Sequence, residues 1–365
     1  MRLKTVLVCA VAGCARVSAP GAADSAPDSG ADVVADSAWD VADARDASAE
    51  DAKCLSSGWR RFDTGLPSAF MTSVSAPERD LAFATHVVGA PSPSSGVLKW
   101  SGEHWVSMPL PSPSTAGFPK AIWAVSADDA YFAGDLKLHW NGTTWQSWGD
   151  NEVISGIWAS SPTNVWAAGL RPSSPLTGEL PSVVVMHYDG SIWTTSISWE
   201  QHSSIPAVDH NYNFAIFGAA DGVLAFKHVM TVANHFDFAR PFWWDGTAWT
   251  ELPHPNGDES DTTLRAWVGG RNDIWIAYNG QLDHFDGGSW RMSASPPGHN
   301  YRAIWGSSGT DLWAVGDGGL ISHGDGATWT VVSACTTENL TAVSGSSASD
   351  VWIVGDHGVT LHRTL

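Results

Sequence analysis

Residues Tyr301–Trp329 read YRAIWGSSGTDLWAVGDGGLISHGDGATW and contain one complete structural repeat. A short apolar run ends at Trp305, and a polar turn closes on Asp311. A second run, Leu312–Val315, leads through a glycine turn to a third, Leu320–His323. The Asp325-Gly326 turn then feeds a fourth run through Trp329. Alternating apolar and polar residues, broken by turn residues every few positions, are the pattern of strands and not of helices.

The unit recurs, and two columns count the copies. An Asp or Asn stands ahead of the second strand at Asp80, Asp129, Asn164, Asn213, Asp273, Asp311 and Asp350. Such side chains bond nearby backbone and hold tight turns. A Trp follows a turn glycine by three residues at Trp105, Trp145, Trp193, Trp249, Trp290 and Trp329. Most of these turns read Asn-Gly, Asp-Gly or close to it, the signature of a hairpin that needs positive φ. The columns differ by one, and the missing Trp lies upstream in Ser57-Gly58-Trp59. Counting from Trp59, successive anchors are 46, 40, 48, 56, 41 and 39 residues apart, close to the ~40–50 residues of a four-stranded propeller blade. The expectation is an all-β, seven-bladed β-propeller in which the N-terminal strand around Trp59 completes the C-terminal blade. Closure removes sheet edges. A β-sandwich does not explain the split last unit; six or eight blades would require misread ends.

The 22 tryptophans fall mostly in repeat columns, as expected if large rings fill the wedges between blades. The net charge of −19 argues against a nucleic-acid backbone as partner and against general adhesion to anionic lipid.

Ahead of the propeller lie two other segments. Residues 1–14, MRLKTVLVCAVAGC, have a basic start and an apolar run too short to span a bilayer. They resemble a bacterial lipoprotein signal; the resemblance implies cleavage before Cys14 and lipidation of its thiol, with plain secretion after cleavage near Ala19 as the alternative. Residues 15–53 are rich in Ala, Asp, Ser and Pro and read as a disordered acidic tether. The propeller then occupies residues 54–365. Its two cysteines, Cys54 and Cys335, flank the split blade. A disulfide would staple the closure, although the strand map sets them toward opposite rims; two free thiols are the alternative.

Insertions fall in one topological position, between second and third strands: Gly89–Gly96, Leu170–Ser182 and Ala220–Pro241. They should emerge on one face with the longer blade-to-blade connections. Loops on a rigid scaffold carry function, so candidate binding residues are Phe118, Arg171, His228, His235, Phe236, Asp237 and Arg240, with Tyr301 as a further aromatic of that face. The histidines His139, His187, His284 and His323 occupy equivalent third strands. A ring spreads them apart, so they predict a repeated structural role and no zinc site. No nucleophile elbow, His-Glu-x-x-His or phosphate loop is present, and no catalytic residue, metal or cofactor is assigned.

The motif Ile-Trp-Gly-Ser-Ser-x-x-Asp-Leu-Trp-Ala-Val-Gly, then His-x-Asp-Gly-x-x-Trp, at Ile304–Trp329 resembles the repeat of secreted propeller lipoproteins common in myxobacteria. It is also similar to the wider sialidase-like group, including the photosystem-assembly propellers. The sialidase Asp-box is degenerate here: Ser322, Gly326 and Trp329 match, but Gly324 replaces the Asp. Sialidase catalysis would require three clamping arginines and a Tyr–Glu pair, which no motif in this sequence places. The leading expectation is a non-enzymatic, monomeric binding scaffold, lipid-anchored at the outer membrane or cell surface, with a protein or glycan ligand. The alternatives are a carbohydrate-active hydrolase or lyase, and an envelope assembly factor.

Overall fold

The computed structural model describes Cys54 and residues 57–89, 94–111, 119–134, 136–174, 179–200, 214–230, 236–255, 264–278, 280–293, 295–296 and 299–364. Cys14, the tether, Phe118, Asn213 and His235 lie outside these residues. The chain forms seven four-stranded antiparallel sheets. Blade 1 comprises Ala69–Glu78, Leu81–Val88, Ser94–Trp100 and Trp105–Met108; blade 2 comprises Pro119–Ser126, Asp129–Gly134, Leu138–Trp140 and Trp145–Ser147. Blade 3 is Val153–Ser161, Asn164–Arg171, Ser182–Tyr188 and Trp193–Glu200; blade 4 is Ile216–Ala219, Gly222–Met230, Phe236–Trp244 and Trp249–Glu251. Blade 5 is Arg265–Gly270, Asp273–Tyr278, Gln281–Phe285 and Trp290–Met292; blade 6 is Tyr301–Ser308, Asp311–Gly316, Ile321–Gly324 and Trp329–Val332. Blade 7 takes Leu340–Ser347, Asp350–Gly355 and Val359–Thr364, and its outer strand is Arg60–Asp63, paired from Arg60↔His362 to Asp63↔Val359. The inner strands surround the axis, each beside those of both neighbouring blades. This is the seven-bladed propeller, closed by the segment after Trp59.

The Asp column does something the turn reading did not anticipate. In five blades the carboxylate or amide reaches across to the third-strand histidine, which stacks on the aromatic ring two residues further along the second strand. His139 Nε2 lies 3.2 Å from Asp129 Oδ1, with the imidazole stacked on Tyr131 at 4.3 Å. Asn164, Trp166 and His187 repeat it at 2.8 and 4.3 Å, and Asp273, Trp275 and His284 at 2.9 and 4.2 Å. Asp311, Trp313 and His323 follow at 2.7 and 4.4 Å, and Asp350, Trp352 and His362 at 2.7 and 3.7 Å. Each clasp ties second strand to third and fixes the tilt of one large ring. The fifth is buried: desolvation works to raise the Asp350 carboxyl, but hydrogen bonds from His362 and Ser346 outweigh it and hold its pKa below the ordinary range.

Two blades lack the clasp, which corrects the column of seven. In blade 1 the register places Leu81 opposite the last residue of the inner strand, and Phe83 opposite Lys99; Asp80 is one residue early. In blade 4 the equivalent positions are Gly222, Leu224 and Trp243, not Asn213.

The ring is locked by the tryptophan that opens each outer strand. It packs on the clasp ring of the preceding blade. Trp59 meets Trp313 edge-on at 5.3 Å, Trp105 meets Trp352 at 5.3 Å, and Trp193 meets Tyr131 at 6.4 Å. Trp249 meets Trp166 at 5.8 Å, and Trp329 meets Trp275 at 5.7 Å. In the two blades whose predecessor has no clasp, Trp145 shares a core with Phe83 and Trp290 with Leu224. The indole N–H groups reach back too: Trp105 Nε1 donates to Thr360 Oγ1 at 2.9 Å, and Trp329 Nε1 to Ser293 Oγ at 2.7 Å.

Cys54 and Cys335 are joined, with Cα atoms 4.7 Å apart. The strand map missed this because the chain after Cys54 doubles back: the Ser57 and Trp59 amides both donate to the Cys54 carbonyl. The bond links the closing strand's approach to the connection between blades 6 and 7.

Trp59 is fully buried and both completes blade 7 and wedges it against blade 6. Trp59→Ala should cost about 3–5 kcal/mol, read as a lowered denaturant midpoint. A loss below about 1 kcal/mol would show that closure does not depend on this ring.

Candidate functional site

The inner strands leave an axial cavity of about 400 Å³. Its wall is made by close approach of backbones, with serine, glycine and alanine among the lining residues. Ser75 Oγ accepts the Ala124 amide at 2.9 Å, Ser344 Oγ the Ala76 amide at 3.1 Å, and Ser155 Oγ the Phe214 amide at 2.7 Å. These serines satisfy inner-edge amides that have no strand partner. At Gly156 even a Cβ would come within 2.7 Å of the Phe214 carbonyl. Among the described residues no carboxylate, histidine or tyrosine lines the cavity; its charged lining groups are Lys120 and Arg265. Both stand near the start of inner strands, at the end of the axis where the blade-to-blade connections arrive. The same end carries the links between second and third strands, including the insertions in blades 1, 3 and 4.

Of the residues expected to bind on that face, Arg171, Arg240 and Tyr301 have described side chains, and each is engaged within the fold. Arg171 is committed to structure: its Nε and Nη2 grip Glu152 Oε1 at 3.2 and 3.0 Å. Glu152 is buried, and its other oxygen meets the buried Lys137 ammonium at 3.4 Å. Burial pushes the Glu152 carboxyl up, but a backbone hydrogen bond, the Arg171 hydrogen bonds and the Lys137 charge bring it below the usual range. Burial lowers Lys137 despite Glu152. Arg240 pairs with Glu251 at 3.1 Å on the exposed side of blade 4. The segment read as a 220–241 insertion is mostly strand: Gly222–Met230 pairs with Phe236–Trp244 in one long hairpin. His228 lies opposite Ala239, and Asp237 opposite Val229. The physical reason is a continuous apolar run: Val223–Phe226 are all buried, as in a strand covered on both faces by neighbouring blades. Tyr301 forms no surface patch; it is buried, with its hydroxyl 2.9 Å from Ser322 Oγ.

Sequence reading missed two further groups. Donor atoms of Asp80, Asp350 and His362 lie within 4.8 Å of one another; Asp350 and His362 already bond each other in the blade 7 clasp. Asp80 enters because it is early in the register, in a left-handed conformation with φ of 58°. The second group is Asp283, only 6% exposed on the face of blade 5 that packs on blade 4, with Oδ1 lacking any hydrogen-bond partner. Burial raises its pKa to about 6.

Two expectations follow from these buried groups. Removing Glu152 leaves Lys137 and Arg171 without their anion, so Glu152→Ala should cost about 3–5 kcal/mol in chemical denaturation, and a neutral effect would deny the network any structural role. For Asp283 the folded pKa exceeds the unfolded one, so folding favours the protonated form. The resulting penalty is absent below the unfolded pKa of 3.8, grows between there and about 6, and is complete above it. Asp283→Asn should therefore stabilise the protein by about 1–3 kcal/mol at neutral pH, with the gain disappearing near pH 4. A gain independent of pH would contradict this.

No family model matches this sequence, and no curated protein matches it. Solved structures do share the fold. A structure of YCF48 bound to D1 peptide superposes with a TM-score of 0.59 at 14% identity, covering 84% of this chain and 97% of that one. YCF48 from Cyanidioschyzon merolae gives 0.56 at 15%, covering 84% and 99%. A catalytically inactive virginiamycin B lyase from Staphylococcus aureus, with quinupristin, gives 0.57 at 11%, also covering 84% and 99%. The likeness is one of fold, shared by a peptide-bound propeller and a lyase; nothing in it is specific to sialidases or lipoproteins. No described helix is long and apolar enough to cross a membrane.

Proposed function

We propose that the protein is a non-enzymatic binding scaffold of the cell envelope, held by lipid at Cys14, whose axial mouth and surrounding loop face receive a segment of a partner protein. The observation that carries this reading is the lining of the axis. Glycoside hydrolysis draws on facing carboxylates, whereas the described residues of this cavity present serine hydroxyls, apolar side chains, Lys120 and Arg265, the last also donating to the Leu264 carbonyl. Two cationic groups at one end of an apolar well, in a chain of net charge −19, suit an acidic side chain or a terminal carboxylate entering along the axis. The bound peptide in the YCF48 structure supports the same use of this fold.

Selection of a displayed random-peptide library on the full chain should enrich acidic sequences. Lys120→Glu combined with Arg265→Glu should weaken their binding by about tenfold or more. Enrichment of no peptide, or binding indifferent to both substitutions, would contradict the proposal.

A further inference from the structure

Blade 4 breaks the repeat at one place, and a cleft opens beside it. In the other six blades the inner strand shifts register just before its turn into the second strand. In blade 4 the pairs run from Ile216↔Ala225 to Ala219↔Gly222 without any shift. The closing pair still encloses two residues, but the inner strand lacks the bulge that precedes the turn elsewhere, and no clasp stands beside it. In blades 2, 3, 5 and 6 this turn lies against the glycine of the outer hairpin. A Cβ on Gly142, Gly190, Gly287 or Gly326 would come within 2.9, 2.6, 2.6 or 2.5 Å of Asp128, Thr163, Asn272 or Gly309. At Gly246, as at Gly102 of blade 1, nothing lies within 4 Å. The blade 4 turn leans instead toward blade 5, where Asp221 Oδ2 accepts the Arg271 amide at 3.1 Å. The space released between blades 3 and 4 is a cleft of about 480 Å³.

The chemistry of its wall is specific. Trp158, Trp166 and Trp244 supply indole surface, and Asn164, His187 and Asp221 supply polar groups. The clasp bordering the cleft is the one among the five that has an amide in place of a carboxylate. Asn164 Oδ1 accepts from Trp166 Nε1 at 2.9 Å and from His187 Nε2 at 2.8 Å, while its Nδ2 donates to Ser160 Oγ at 2.7 Å. With its proton held on Nε2, His187 offers Nδ1 as an acceptor, and burial lowers its pKa and keeps the ring neutral. No lysine or arginine lines the cleft, which disfavours an anionic ligand. Apolar ring surface beside hydroxyl, amide and imidazole groups, with the carboxylates of Asp221 and Asp245 as further acceptors, matches a molecule with apolar C–H faces and a rim of hydroxyl donors.

We infer that the cleft between blades 3 and 4 binds a neutral saccharide unit. This site is separate from the axial mouth and stands whether or not a peptide binds there. Ala220 is exposed at the edge of the cleft, so Ala220→Tyr blocks it without touching the core. Saturation-transfer NMR and calorimetry on the full chain would use methyl glycosides of glucose, galactose, mannose and N-acetylglucosamine, with choline as a cationic probe of the same indoles. The expected result is saturable binding of at least one glycoside, weakened about tenfold or more by Ala220→Tyr at unchanged melting temperature. Binding of no glycoside at tens of millimolar, equal binding by Ala220→Tyr, or binding of choline alone would overturn the inference.

Discussion

Each blade of this ring is held by a tryptophan seated on its neighbour. In five blades the outer-strand indole packs edge-on against an aromatic ring that the preceding blade has fixed with an Asp–His or Asn–His clasp, and in blades 2 and 5 it shares a core with Phe83 or Leu224. A single aromatic pair of this kind contributes about 0.5–1.5 kcal/mol beyond its burial. Repeated around a closed circle, it makes every blade both support and supported. The last contact, Trp59 on Trp313, joins residues far apart in sequence and is reinforced nearby by the Cys54–Cys335 bond. The chain can close only after all its blades are in place.

This architecture dictates where function can reside. Inner strands must approach so closely that serine hydroxyls serve neighbouring amides and glycine is required at Gly156. Among the described residues, the charged groups lining the axis are Lys120 and Arg265 at one mouth. The clasp histidines, which look like a catalytic inventory when read as composition, each spend Nε2 on the clasp and one ring face on stacking. Distinctive surface arises where the repeat is broken, most clearly at the inner-strand turn of blade 4, which lacks the bulge of the other blades.

Much of the fold was legible because its rules are local. Turn glycines with positive φ, the spacing of Trp105 to Trp329 and the displaced Trp59 all appear as sequence periodicity. The common place of His139, His187, His284 and His323 was readable as a structural role, though the partner was not: a bond from Asp311 to His323 depends on strand register across a hairpin. Register also explains the errors. Asp80 lies one position early, so the column counted a residue that the blade does not use as a clasp. The 220–241 segment gained enough length to look like a loop, but kept the buried apolar run Val223–Phe226 of a strand. Arg171 looked like a surface cation until Glu152, nineteen residues earlier, was seen buried beside it. The cleft had no positive signal at all; its only trace is the absence of Asp, aromatic and His at Gly222, Leu224 and Trp243.

The claim that clasped rings and seated tryptophans make the propeller one cooperative unit is tested most directly by native-state hydrogen exchange resolved to individual strands. The account predicts that second-strand amides of blades 2, 3, 5, 6 and 7 open together in the slowest class, with Gly222–Met230 of blade 4 opening earlier. Blades that exchange independently of one another, or a blade 4 as protected as the rest, would contradict it.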